Sequence, residues 1–87
     1  MDVFPKYQDK VIRPTKDAAE ELWQLGNGLA NVSEILEIGY TCSSSRRKDN
    51  IIEKCITRGS DVYKVVVADC GSYWLLIHFG RFTYKRR

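Results

Sequence analysis

Apolar positions recur at two different spacings along this 87-residue chain, and the spacing changes near residue 40. In "KDAAEELWQLG" (16–26), Ala18, Ala19, Leu22 and Trp23 fall at i, i+1, i+4 and i+5, one apolar stripe of a helix. Thr15 is placed to cap it, Asp17, Glu20 and Glu21 sit near the positive end of its dipole, and Gly26 ends it. After the "GNG" turn, "LANVSEILEIG" sets Val32, Ile35 and Leu36 at i, i+3 and i+4, with Gly39 just past the last turn. The spacing therefore predicts a helical hairpin, helices near 16–25 and 31–38, with acidic outer faces and Ala19, Leu22, Trp23, Ile35 and Leu36 buried.

Beyond the polar connector "YTCSSSRRKDN" the period shortens. "IIEKCITRG", "DVYKVVVAD" and "YWLLIHFGRFTY" are rich in β-branched and aromatic residues and are separated by short Gly-containing links. They predict antiparallel strands over 51–58, 62–69 and 73–79, the last running on toward 84. Upstream, "VIRPT" reads as a short edge strand that Pro14 terminates, because proline gives no ladder donor. The predicted fold class is α+β: two N-terminal helices packed on one face of an antiparallel sheet of three or four strands. Residues 1–10 form a lead, 11–84 a single domain and 85–87 a basic tail. Gly80 leaves two geometries open. A bulge there would bring His78 and Arg81 onto one face with Lys64; regular alternation would set His78 and Arg81 on opposite faces.

Composition narrows the class. With 44% hydrophobic and 29% charged residues the chain has the make-up of a globular protein. Its longest apolar runs fall far short of the ~20 residues a membrane helix needs, and "MDVFPKYQDK" has no secretory-type apolar run. No membrane partner and a cytoplasmic location are expected. Three cysteines, Cys42, Cys55 and Cys70, form no CxxC pair, and one histidine does not complete a metal-ligand set, so no metal and no cofactor are expected. The odd count suits a reducing compartment, with Cys55 as a small buried core residue. Net charge is +3, and its distribution is uneven: residues 1–41 carry four basic and seven acidic side chains, residues 42–87 ten and four. The basic second half suits a polyanion.

The order of these elements, with "KDAAEELWQLGNGLANVSEILEIG", a basic connector and then "YKVVVADCGSYWLLIHF", resembles the small domains of the RelE/ParE toxin superfamily over about residues 11–82. The likeness is nearest to its MqsR-like members and to an uncharacterised sister group of small domains. The resemblance implies a toxin-type domain that binds RNA, including ribosome-associated mRNA, and cuts it as a metal-independent endoribonuclease, with an antitoxin protein as partner. The ParE branch implies gyrase as the target instead. The resemblance also implies a catalytic basic residue in the last strand, for which Arg81 is the nearest match.

Metal-free RNA cleavage needs a base for the 2′-hydroxyl, positive charge on the phosphorane and an acid for the 5′-oxygen. His78 is the natural proton carrier, since imidazole titrates near pH ~6.5. Its alternation with Trp74 and Leu76 equally suits a structural histidine. The catalytic candidates are His78, Arg81 and Lys64. Arg46, Arg47, Lys48 and Lys54, with Tyr84, Lys85 and Arg86 of the terminal cluster, are the nucleic-acid-binding candidates, combining phosphate-neutralising cations with an aromatic ring for stacking. The competing class is a non-enzymatic interaction module, in which the sheet binds a partner protein or forms a homodimer through its edge.

Overall fold

The computed structural model describes residues 5–41 and 50–83. Strand β1 (Lys6–Tyr7) and strand β2 (Lys10–Pro14) form a small antiparallel hairpin. Its two-residue turn is unusual in composition: Gln8 and Asp9 both hold positive φ, 53° and 65°, the mirror-image turn geometry that glycine and asparagine ordinarily supply. Nothing in "YQDK" advertises that turn, which is why the segment reads as a lead. Helix α1 (Lys16–Gln24) follows, its first turn capped by Thr15 Oγ1, which accepts from the Ala18 amide at 3.1 Å. Helix α2 (Leu29–Ile38) begins one half-turn earlier than its apolar period suggests, because Asn31 folds back to accept the Gly28 amide at 2.8 Å.

Four further strands complete the sheet: β3 (Tyr40–Thr41), β4 (Ile51–Arg58), β5 (Asp61–Asp69) and β6 (Tyr73–Thr83). The spatial order is β1-β2-β6-β5-β4-β3. The expected antiparallel sheet of three or four strands is thus replaced by a mixed sheet of six strands. Its β4–β5–β6 meander is antiparallel as expected, but β2 docks parallel to β6, with Val11 opposite Tyr73 and Pro14 opposite Leu76. A parallel neighbour requires a long connection, and the helical hairpin and the meander together supply it. A lone five-residue strand carries no sign of its partner's direction. Gly39 allows β3 to turn directly from α2 onto β4, since a side-chain carbon there would meet the Cys55 carbonyl oxygen at 2.7 Å.

One face of the sheet carries both helices. Ala18 and Leu22 of α1 and Val32, Ile35 and Leu36 of α2 are buried against Ile12, Val65, Val67, Trp74, Leu76 and Phe79. The expectation for α1 is wrong by one helical step. The inward line is Ala18–Leu22, with Leu25 at its edge, Ala19 is half-buried, and Trp23, about 100° further round, is 83% exposed. Ring size suggested a core residue there, whereas the helix is seated by Ala18 and Leu22. The buried tryptophan is Trp74, 3% exposed, whose indole N–H donates to the Tyr7 carbonyl at 2.8 Å and whose ring lies 5.5 Å from that of Tyr7. Lys10 stands over it at 4.2 Å and reaches Asp69 at 2.5 Å, fastening β2 to the β5–β6 turn. No helix among the described residues is long and apolar enough to cross a membrane.

Two measurements check this seam. Trp74→Ala should lower the unfolding free energy by ~3–5 kcal/mol in urea titrations, while Trp23→Ala should stay within about 0.5 kcal/mol of the parent. The hydrogen bonds from Lys10 and then from the Gly71 amide hold the Asp69 carboxyl below the usual aspartate range. Its contribution is therefore present above the unfolded aspartate value, roughly 3.9, and is lost as pH falls through the lowered native value. Asp69→Asn should flatten that acid limb of a stability–pH profile.

Candidate RNA-facing site on the second face of the sheet

The sheet face turned away from the helices is built by the residues that alternate with the core positions. Across the ladder, Glu53, Val66 and His78 form one row, and Cys55, Lys64 and Gly80 form the next. This second face is partly closed: Glu53, Cys55, Val62, Val66 and Ala68 are buried. Cys55 is buried as expected of a core residue, but in a disulfide rather than as a reduced thiol, whereas Cys70 is free and exposed.

A β-bulge organises the site, and it lies at Ile77 rather than at Gly80. Val67 faces Leu76 and Val66 faces His78, so Ile77 is the extra residue on β6. Parity from Trp74 and Leu76 would put His78 on the helix face. The inserted residue turns His78 to the second face and delivers Phe79 to the core, where it is buried and stacks with Tyr63 at 6.1 Å. Past the bulge the register is regular, with Lys64 opposite Gly80 and Tyr63 opposite Arg81. The missing bulge at Gly80 has a direct consequence. Arg81 shares the helix face with Tyr63, so His78 and Lys64 share the second face without it.

The imidazole leans along its own strand. Its Nε2 lies 2.9 Å from the point a Cβ on Gly80 would occupy, so the ring lies over the glycine, directly beside the root of Lys64. Lys64 Nζ is 3.7 Å from an oxygen of Glu53, which is one of the partners of that buried carboxylate. From the other side, Glu21 of α1 reaches the edge of β6. Its Oε1 accepts the Phe79 amide at 2.9 Å and lies 3.3 Å from His78 Nδ1. An acidic side chain of the helix therefore meets the histidine of the last strand, a pairing that no local sequence pattern announces. The signal available was an acid cluster, Asp17, Glu20 and Glu21, in which only the fold shows which member turns inward.

The other candidates are dispersed. Lys54 opposes Val65 and so belongs to the helix face, half-buried. Arg46, Arg47 and Lys48, and Tyr84, Lys85 and Arg86, lie outside the described residues. The assembled group is thus Glu53, Lys64, His78 and Glu21, with a solvent-accessible imidazole, 47% exposed, and an ammonium group on one surface.

Searches against family models, curated proteins and solved structures find no match for this chain. Gly80→Ala tests the geometry directly. The added methyl must displace the ring from its place beside Lys64, so the His78 side-chain proton resonances should shift strongly while the backbone amides of β4 stay in place.

Proposed function

We propose that the protein is an RNA-binding domain of RelE/MqsR type that cleaves single phosphodiester linkages without a metal, using the second face of the sheet. The observation that carries this reading is that the second face holds both His78 and Lys64, a proton carrier and a cation, with the imidazole lying over Gly80, the residue paired with Lys64. The excess of basic residues in the second half of the chain supports a polyanionic substrate, as does the likeness of its helical hairpin and terminal strands to that toxin superfamily.

In the proposed reaction His78 Nε2 removes the proton of a ribose 2′-hydroxyl. The 2′-oxygen then bonds to phosphorus while the bond from phosphorus to the 5′-oxygen breaks. Lys64 holds the negative charge that grows on the non-bridging oxygens, and its ammonium is the nearest donor for the departing 5′-oxygen. The products are a 2′,3′-cyclic phosphate and a free 5′-hydroxyl. Arg81, on the other face, contributes to neither step. A second reading, a module that binds a protein partner, draws on Trp23, whose indole projects from α1 into solvent, and on the outer edge of β6, which no described strand pairs beyond Leu76.

Two experiments separate these readings. Binding to single-stranded RNA through phosphates requires log affinity to fall with log salt by about 0.7 per phosphate neutralised; an interaction indifferent to salt would favour the protein partner. In excess chelator, His78→Ala and Lys64→Ala should each lose ~100-fold or more of the cleavage rate, and Arg81→Ala should retain it. Absence of cleavage by the parent protein would refute the catalytic part of the reading.

A further inference from the structure

Glu21 follows Asp17 and Glu20 but lies in the second turn of α1, past the first turn where the helix dipole favours a carboxylate. Its surroundings differ from those of its neighbours. Asp17 and Glu20 are exposed, while Glu21 is half-buried and aimed at β6. It arrives where the bulge at Ile77 leaves a gap: β2 stops at Pro14, opposite Leu76, so the outward amide of Phe79 finds no strand to receive it. Glu21 Oε1 takes that amide at 2.9 Å, and the same oxygen lies 3.3 Å from His78 Nδ1.

We propose that Glu21 is a positioning residue that fixes His78 in its Nδ1–H tautomer, leaving Nε2 as the proton acceptor on the second face. A carboxylate oxygen only accepts, so at 3.3 Å a proton on Nδ1 makes the approach attractive where a bare nitrogen lone pair would repel the oxygen. Two further constraints remove the ring's alternatives. The Phe79 amide anchors the carboxylate oxygen, so Glu21 is not free to swing with the imidazole. Gly80 admits the ring at the distance where any side chain would exclude it, with Nε2 turned to the glycine side. Among the described residues, the other charged groups in the two ladder rows of His78 and Gly80 are Lys64 of β5, a donor that cannot receive a proton from Nδ1, and Glu53 of β4, which is buried and engaged with Lys64. Of these, only Glu21 can hold the Nδ1 proton. The dyad lies across two elements far apart in sequence, 21 on a helix and 78 on the last strand.

The functional consequence rests on the reading of His78 as the base in RNA cleavage, but the tautomer itself does not. The chain has a single histidine, so its two ring nitrogens give an unambiguous 15N spectrum. In the parent protein, at a pH where the ring is neutral, long-range 1H–15N correlations should show the proton on Nδ1. In Glu21→Ala the population should move to the Nε2–H form that a free imidazole side chain favours, and cleavage should fall by about 100-fold. Glu21→Gln keeps an acceptor for the Phe79 amide and can donate as well as accept, so it should relax the preference without disturbing the strand. It serves as the test if the alanine variant fails to fold. A parent ring protonated at Nε2, or a tautomer unchanged in both variants, would overturn the proposal. A tautomer shift in a protein that does not cleave RNA would sustain the role of Glu21 and overturn the function proposed above.

Discussion

One extra residue in β6 governs both the core and the candidate site. Backbone pairing in an antiparallel ladder forces alternation, so inserting Ile77 between the positions facing Val67 and Val66 reverses the parity of everything downstream. Without it, Phe79 would point away from the helices and the core would lose one of its largest buried side chains. With it, Phe79 seals the space beneath α1 and His78 is delivered to the second face. The bulge also turns the Phe79 amide outward, which creates the need that Glu21 meets. Core packing, exposure of the histidine and the helix-to-strand contact are therefore consequences of a single local irregularity.

The first half of β6 is held by different means. There the strand runs beside β2, and Trp74 gathers the N-terminal hairpin onto the sheet through its bond to the Tyr7 carbonyl, the Tyr7 ring and the overlying Lys10. Thr15 continues the seam by donating its amide to the Leu76 carbonyl, and then starts α1 with its hydroxyl. The strand thus has two regimes. Up to Leu76 it is an interior strand with neighbours on both sides, and beyond it one edge faces the helix and solvent. The bulge falls at the junction, where the change from two partners to one leaves room for an unpaired residue.

On the second face, the pairing of Glu53 with Lys64 gives the surface a fixed cation rather than a mobile one. A buried carboxylate demands compensation, and an ammonium group drawn toward it is less free to wander. Beside it, Gly80 is unusual in acting through absence: the missing side chain is the space the imidazole fills. This is a physical reason for a glycine inside a strand, where it otherwise weakens the ladder.

Local signals were sufficient for much of the architecture. Helix capping by Thr15, the apolar spacing of α2, the three strands of the meander and the end of β2 at Pro14 could all be read from neighbours within a few residues, because capping, periodicity and the lack of a proline donor are short-range physics. Candidate residues were legible by type alone: His78 and Lys64 were identifiable as chemistry-bearing side chains in strands. What needed the tertiary structure was every relation set by a distant partner. The direction of β2, the face of α1 that packs and so the exposure of Trp23, the bulge at Ile77 rather than Gly80, the separation of Arg81 from His78 and the approach of Glu21 all depend on which segment lies alongside. A strand's register and a helix's seating minimise the energy of the whole packed layer, and one inserted residue costs little locally while reversing every position after it.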